Sequence, residues 1–447
     1  MASVKPLRGI LFNPRKIKNL EAVTAPPYDV ISPDEQGALA DKHPHNVIRL
    51  ILDRATETDT EQDNPHTRSA AYFRQWMTQG ILKQDDAAAL YFTATTYTHA
   101  ARTFTRHGLI ARVGLEPFEK RVILPHEQTF SKVRSERLAL IKATHCNFCP
   151  IFCLYPDDGG LLNILQQAVA PTPTSMDFQD DQGHRHRLWR ILDPTIHRDV
   201  TTAMKVRPLY IADGHHRYET ALNFRRHLQT TEPSFGDRHP ANDVLMYLCS
   251  MSDPGLLILP AHRLLKTVAA ADIRRALEQS RAYFDVVAIP FTAGNRPEME
   301  QLFLSDRDKD SDRTCIGIYA HRHPVFHRLT LKPGVMDRLF PEALPASLRT
   351  LDVTVLTRLM FMKILGLHPA QMDNHQFIGY VSTADQALQS IDRGDYDAAF
   401  ILNPTRIEQV REIADQGLTM PRKSTYFYPK VRSGLVMHSL EQTLGCL

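Results

Sequence analysis

The stretch LYIADGHHRYETAL, residues 209–222, constrains this chain more than any other. An apolar run of strand character enters Asp213-Gly214-His215-His216-Arg217 and passes directly into a helical pattern. Gly214 permits a tight turn and lets a ligand approach the backbone. The first turn of the following helix offers unpaired N–H groups and the positive end of its dipole, which suits an anion. His215, His216 and Arg217 add side-chain donors at the same point. On the helix, His216, Glu219, Thr220 and Asn223 share a polar face, and Tyr218, Ala221 and Leu222 an apolar one that would pack on a sheet. Two plainer readings stay open. Asp213 could be an N-cap for the N–H of His215 or His216. Asp213, His215 and His216 could hold a metal, although adjacent histidines on a helix rarely converge on one ion.

The rest of the chain provides the frame. Apolar runs alternate with amphipathic helical stretches throughout, which predicts a mixed α/β protein. At 447 residues two or three domains are expected, and a boundary near 265 gives an N-terminal domain, 1–265, and a smaller C-terminal α/β domain, 266–447. Ser32, Pro33 and Glu35 form a capping box that starts a helix. NVIRLIL (46–52) reads as a strand, residues 66–81 as an amphipathic helix, and 89–113 as a hairpin with period-two patterning. The apolar runs on either side of Asp253-Pro254-Gly255 predict another hairpin. The polar stretches 53–67, 171–187, 229–243 and 305–313 read as surface loops.

Composition excludes several classes. Hydrophobic residues are 43% and charged residues 23%, ordinary for a folded protein. A net charge of +3 supplies no general attraction to nucleic acid or membrane. No apolar stretch approaches the roughly 18 residues of a membrane span, and the N-terminal apolar run is too short for a signal peptide. Six cysteines in so long a chain do not make a disulfide framework. A cytoplasmic location is the expectation.

Four other segments carry chemistry. Pro26 and Pro27 fix the backbone that presents Tyr28 and Asp29, which suits a substrate-orienting carboxylate and equally a structural turn. LPHEQT places His126 and Glu127 at a strand end, where active-site residues of α/β proteins commonly sit. The C-terminal PRKSTYFYPKVRSG interleaves basic and aromatic residues, as either a base-stacking surface or an ordinary strand with alternating faces; Lys423 and Ser424 could also close over a pocket. Cys146, Cys149 and Cys153 read as buried strand residues, since a closed metal site wants four ligands. No Gly-rich dinucleotide loop, Walker loop or nucleophile elbow is present.

APPYDVIS, NVIRLIL, LPHEQT, SERLALIKAT, LYIADGHHRYETAL, DPGLLILPAHRLL and MPRKSTYFYPKVRSGLV occur in one order over nearly the whole chain. Together they closely resemble the bacterial and archaeal domain-of-unknown-function family numbered 1015. The turn alone is similar to that of the ParB/sulfiredoxin-like superfamily, which includes nucleotide-binding ParB domains, sulfiredoxins and free-serine kinases and uses the turn to cradle nucleotide phosphates. This likeness implies a phosphate-binding core in the N-terminal part and serine or O-phosphoserine as first substrate candidate. The family pattern also implies roles for Lys132 and Arg137, while Glu136 stands where the family carries an aspartate.

The resulting expectation is a phosphotransferase or phosphate-ester enzyme acting on a small hydroxylated metabolite. Gly214 and Arg217 would hold phosphate, His215 and His216 would stabilise developing charge, and Asp213 or Glu127 would take the hydroxyl proton. Tyr28, Asp29, His126, Lys132, Arg137, Lys423 and Ser424 would complete the substrate site. Magnesium would accompany a nucleotide or pyrophosphate donor. The alternative is a non-catalytic regulatory protein that binds a nucleotide or phosphometabolite. Homo-oligomerisation is compatible with either; direct DNA binding is disfavoured by the balanced charge.

Overall fold

The computed structural model describes residues 1–127, 131–309, 313–372, 374 and 376–441, and for 131–134 and 306–309 the backbone alone. The protein is mixed α/β and divides into two compact units. The first comprises Met1–Pro125, Thr129–Leu256 and Pro429–Leu447; the second comprises His126–Gln128 and Leu257–Tyr428. The chain therefore leaves the first unit and returns to it for its last segment. No helix is long and apolar enough to cross a membrane among the described residues.

The first unit is built on a nine-stranded mixed sheet. Its strands run in the order Ile123–Leu124, Leu209–Asp213, Ile151–Tyr155, Asp243–Ser250, Arg102–Gly114, Leu90–His99, Arg185–Ile191 and Met176–Gln179, with Val4–Lys5 paired on Arg102–Gly114. The middle strands are unbroken apolar runs because both of their faces are covered: all eight residues of Asp243–Ser250 and all five of Ile151–Tyr155 are buried. The expected hairpin forms, with His99 opposite Arg102 across a two-residue turn. Ala100 and Ala101 both take positive φ there, as the right-handed twist of the flanking strands requires. One core face gathers Phe92, Leu109, Ile151, Ile211, Tyr218 and Met246. A second core packs Phe12, Val23, Ile48, Trp76, Phe148 and Met437.

Three local expectations are corrected. Residues 46–52 do not form a strand: Asn46 Oδ1 accepts from the N–H of Ile48 at 2.9 Å and starts the short buried helix Ile48–Ile51. An apolar run of this length is compatible with either state. Residues 171–187 are not one surface loop, since strands Met176–Gln179 and Arg185–Ile191 pair there and bury Asp180, His184 and His186. The runs around Asp253-Pro254-Gly255 do not pair with each other. Asp243–Ser250 belongs to the large sheet, whereas Leu257–Leu259 pairs with Tyr426–Tyr428 in the second unit.

The turn itself is instead anchored within the first unit. Asp253 Oδ1 accepts from Gly255 N–H at 2.8 Å, and its Oδ2 accepts from His107 N–H at 3.1 Å. A Cβ on Gly255 would stand 2.2 Å from the carbonyl oxygen of Thr105 and 2.4 Å from Arg106 N. Gly255→Ala is therefore expected to destabilise the first unit by about 2 kcal/mol, because backbone rather than a pliable side chain must yield. Urea unfolding checks this, with Gly236→Ala as control, where a Cβ meets nothing within 4 Å. Equal stability of the two variants would refute the close packing.

The second unit holds a six-stranded antiparallel sheet in the order Phe284–Pro290, Val325–Leu331, Cys315–Ala320, Ala398–Ile401, His262–Leu265 and Ile378–Val381. Helices Ala270–Ser280, Ala384–Asp392 and Ile407–Asp415 belong to the same unit. A helical turn at Asp352–Thr354 continues as a wider π-helix over Val355–Ile364. Tyr426–Tyr428 is an alternating strand, with Phe427 buried between two half-buried tyrosines, as the plainer reading of that motif holds.

Candidate functional site

Strand Leu209–Asp213 runs beside Ile151–Tyr155, and its register slips between Ile211 and Asp213. The slip is a bulge that re-aims Asp213 at the strand end. Gly214 follows with φ 99°, and helix His215–Thr231 starts without a side-chain cap. The N-cap reading of Asp213 is thus excluded. Its Oδ1 instead accepts from Lys430 Nζ at 2.7 Å, and its Oδ2 from Arg217 Nη2. Burial alone would raise the Asp213 carboxyl, but Lys430 and then Arg217 outweigh it and hold the group well below the usual carboxylate range. A carboxylate so placed is a poor proton acceptor and a strong positioning charge.

Arg217 is fixed on two sides, by Asp213 and by the carbonyl oxygen of Pro150, to which its Nη1 donates. Gly214 is needed here on a second ground: a Cβ would come 2.8 Å from Arg217 Nε. His215 is buried and His216 half-buried, and both have partners within the fold.

Around Arg217 lies a cavity of about 60 Å³, whose lining includes Tyr28, Arg137, Cys149, Thr220 and the apolar Ile51 and Phe148. Tyr28 opens the short helix Tyr28–Val30 after Pro27, so the rigid PPYD segment does present it inward. The Arg137 guanidinium stacks over the Tyr28 ring at 4.2 Å, and its Nη1 donates to Ile51 O at 2.7 Å. Burial, reinforced by Asp29, pushes the Tyr28 hydroxyl far up, so it stays a neutral donor; Arg217, Arg137 and Asp213 act on the same hydroxyl. Asp29 itself is exposed and makes no ion pair among the described residues.

Tyr28, Asp29, Arg137, Asp213 and Arg217 are thus gathered in the first unit. Three residues that line the cavity each bury a polar atom, Arg137 Nε, Arg217 Nε and Thr220 Oγ1, with no hydrogen-bond partner among the described residues. Thr220 lies three residues after Arg217 on one helix face, but that face turns into the protein, and Thr220 is only 3% exposed. Cys146, Cys149 and Cys153 are free thiols, the first and last buried, and burial pushes all three up.

His126, Glu127, Lys423 and Ser424 are gathered in the second unit. His126 is buried with Nε2 3.0 Å from Thr425 Oγ1, and Glu127 Oε1 accepts from Ser424 N–H at 3.2 Å. Ser424 Oγ donates to Pro421 O, while Lys423 is an exposed residue at φ 57°. These contacts tie a loop together. The side chain of Lys132 lies outside the described residues.

Two features escaped sequence reading as site residues. Lys430 meets Asp213 across 217 positions of sequence, and no local pattern signals such a pairing. Asp180, His184 and His186 converge as the one grouping of metal-ligand type among the described residues. Asp180 Oδ2 there accepts from Arg432 Nη1 at 3.1 Å and stands 2.8 Å from His186 Nε2 and 3.6 Å from His184 Nδ1. A guanidinium already neutralises that carboxylate, so the cluster reads as a buried ion network. The i, i+2 spacing of His184 and His186 at the entry to strand Arg185–Ile191 was the available signal.

The fold and site define a mixed α/β protein with an uncapped strand–glycine–helix turn beside a small cavity whose lining includes Arg137 and Arg217. The chain belongs to the family described as "Protein of unknown function (DUF1015)", whose model matches residues 4–354. No curated protein matches it. Among solved structures it is similar to a conserved hypothetical protein from Pyrococcus furiosus, at 12% identity and TM-score 0.34, covering 72% of this chain and 92% of that one. A free serine kinase in complex with AMP aligns at 11% identity and TM-score 0.34, over 72% of this chain and 86% of that one. SbnI with a C-terminal truncation, from Staphylococcus aureus, aligns at 10% identity and TM-score 0.35, over 74% and 89%.

Proposed function

We propose that the protein transfers a phosphoryl group to or from the hydroxyl of a small metabolite at the Asp213–Arg217 turn. The observation that carries this reading is Arg217: pinned by Asp213 and Pro150, it keeps one buried N–H unsatisfied beside an uncapped 17-residue helix. The positive end of a helix dipole and a fixed guanidinium are what a phosphoryl group in flight requires. Asp213, locked between two cations, orients Arg217. Asp29, exposed and coupled through space to Arg217 and Tyr28, accepts the proton. The hydroxyl oxygen attacks phosphorus, the bond to the leaving phosphate oxygen breaks, and the hydroxyl proton passes to Asp29. Magnesium bound to the donor's own phosphate oxygens and water would supply charge neutralisation. The turn's likeness to that of free-serine kinases makes serine and O-phosphoserine the first pair to try.

The test is phosphorus NMR of purified protein with serine or O-phosphoserine and ATP, ADP or pyrophosphate, with and without magnesium. Arg217→Ala is expected to lower kcat/KM about 100-fold, and Asp29→Asn to lower kcat at unchanged KM. Absence of phosphoryl exchange with every donor would defeat the reading. Nucleotide binding without turnover, abolished by Arg217→Ala, would assign the turn to a regulatory binding protein.

A further inference from the structure

Arg106, in the middle of the large sheet, is only 1% exposed and meets no carboxylate among the described residues. Its guanidinium makes two hydrogen bonds there, both to neutral oxygens: Nε donates to the Tyr247 hydroxyl at 3.2 Å, and Nη1 donates to Pro429 O. The other three of an arginine's five N–H groups are left over. The rings of Phe152 and Tyr247 lie 4.8 and 5.3 Å from its Cζ. A buried charge without a counter-charge is costly, and aromatic faces return only part of that cost. We infer that Arg106 is the centre of a buried halide site, with chloride as the ion it takes. The site is independent of the phosphoryl-transfer reading.

Strand register places the Arg106 side chain on the cavity side of the sheet. Thr95 stands directly opposite Arg106 on one neighbouring strand and opposite His186 on the other, so the three side chains share a face. A cavity of about 10 Å³ lies over that face, since its lining takes Thr93 and Thr95, and His186 and Leu188, alternate residues of two strands. Gly108, two residues beyond Arg106, leaves the face open for the Tyr247 ring, because a Cβ there would stand 2.0 Å from Tyr247 Cζ. The returning segment closes the cavity with Lys430, Val431 and Arg432. The bond from Arg106 to Pro429 O therefore draws the guanidinium from the sheet toward the segment that roofs the cavity.

Charge and volume together select the ion. The lining holds Arg106, Arg187, Lys430 and Arg432, and no aspartate or glutamate among the described residues. Lys430 spends its charge on Asp213, and Arg432 on Asp180 at 3.1 Å. Arg187 alternates to the opposite face of the sheet, where it lies 5.4 Å over the Trp189 ring. His186 adds no charge at neutral pH, since burial depresses it. One positive charge, that of Arg106, is left to be met by a monovalent anion. The volume admits a single small occupant, which excludes phosphate, sulfate and any metabolite with a carbon skeleton.

Hydrogen exchange on strand Arg102–Gly114 of the full chain, in sodium chloride and in sodium gluconate at equal ionic strength, tests this. Gluconate is too large for the cavity. At chloride ten times its dissociation constant, exchange through unfolding of the strand should be about tenfold slower than in gluconate. Bromide should act as chloride does, and crystals grown in bromide should show an anomalous peak beside Arg106. Arg106→Met should abolish the chloride effect, and Arg106→Lys, which keeps a positive charge, should retain part of it. Equal exchange in the two salts, a chloride effect undiminished in Arg106→Met, or no bromide peak beside Arg106 would each overturn the inference. The peak is read on the wild-type protein, so it decides the matter even where Arg106→Met fails to fold.

Discussion

Asp213→Asn is expected to destabilise the first unit by about 3–5 kcal/mol, although it alters a single atom of the side chain. In the native protein one carboxylate faces two cations, Lys430 at 2.7 Å and Arg217, and all three side chains are 12–13% exposed. The asparagine amide has one acceptor oxygen and an NH₂ group that must point at one of those cations. Two buried positive charges then lose their counter-charge, and desolvation dominates whatever hydrogen bonds survive. Lys430→Met in the same background should recover part of the loss by removing one orphaned cation, so the pair is strongly non-additive. Urea unfolding of the two single variants and the double variant measures the coupling. A cost below about 1 kcal/mol for Asp213→Asn would mean that water relieves the cluster and that Asp213 does not hold Arg217.

The same cluster shows what sequence alone could reveal about the site. LYIADGHHRYETAL could be parsed as strand, turn and helix because each part has a local cause: apolar continuity, a glycine at positive φ and a polar first turn. The Ser32 capping box and the hairpin over 89–113 were legible for the same reason, since the groups that satisfy each other lie within a few residues. What remained hidden was long-range. Nothing near Lys430 marks Asp213 as its partner, and nothing in the apolar runs flanking Asp253 says that each will pair with a distant strand. Helical periodicity places Thr220 on the polar face of its helix. Its burial follows from packing around residues that come from Pro26-Pro27-Tyr28 and from helix Ser131–Thr144, neither of which is visible from its own helix.

Sequence reasoning offered residues from distant parts of the chain as candidates for one site. The structure distributes them between two units, each with its own hydrogen-bonded cluster. Within the first unit the roles separate on physical grounds. The carboxylate with the strongest cationic partners positions a guanidinium, and Asp29 stays exposed, as the proposed proton acceptor must. Within the second, Glu127 and Ser424 satisfy each other and Arg263 is depressed to about 10, first by its burial. Tyr380 and Glu127 pull the same guanidinium the other way.

Acidification should unfold the first unit before the second. His438 is buried, its Nε2 has no hydrogen-bond partner among the described residues, and burial followed by Arg112 depresses it to about 4 against the opposing pull of Asp243 and the Pro240 carbonyl. Between pH 6.5 and 4 the unfolded chain takes up a proton at this histidine that the folded chain refuses. Stability therefore falls as pH falls, by about 3 kcal/mol across that window. His186, also depressed by burial, acts with the same sign. Asp213 and Asp180, both held far below the ordinary carboxylate value, add stability that is complete above that value and drains away as pH drops further. In the second unit the signs oppose. Burial depresses His327 to about 4, but it also raises Asp352 to about 6. Asp352 therefore retains a proton that the unfolded chain has already released, and its contribution grows as pH falls from 6 toward the ordinary carboxylate value. Hydrogen exchange read on strand Asp243–Ser250 and strand Cys315–Ala320 between pH 7 and 4 separates the units. Protection in the first should fall first, and His438→Gln should flatten its slope in that window. Simultaneous loss in both strands, or an unchanged slope in His438→Gln, would show that this imidazole is protonated in the folded protein.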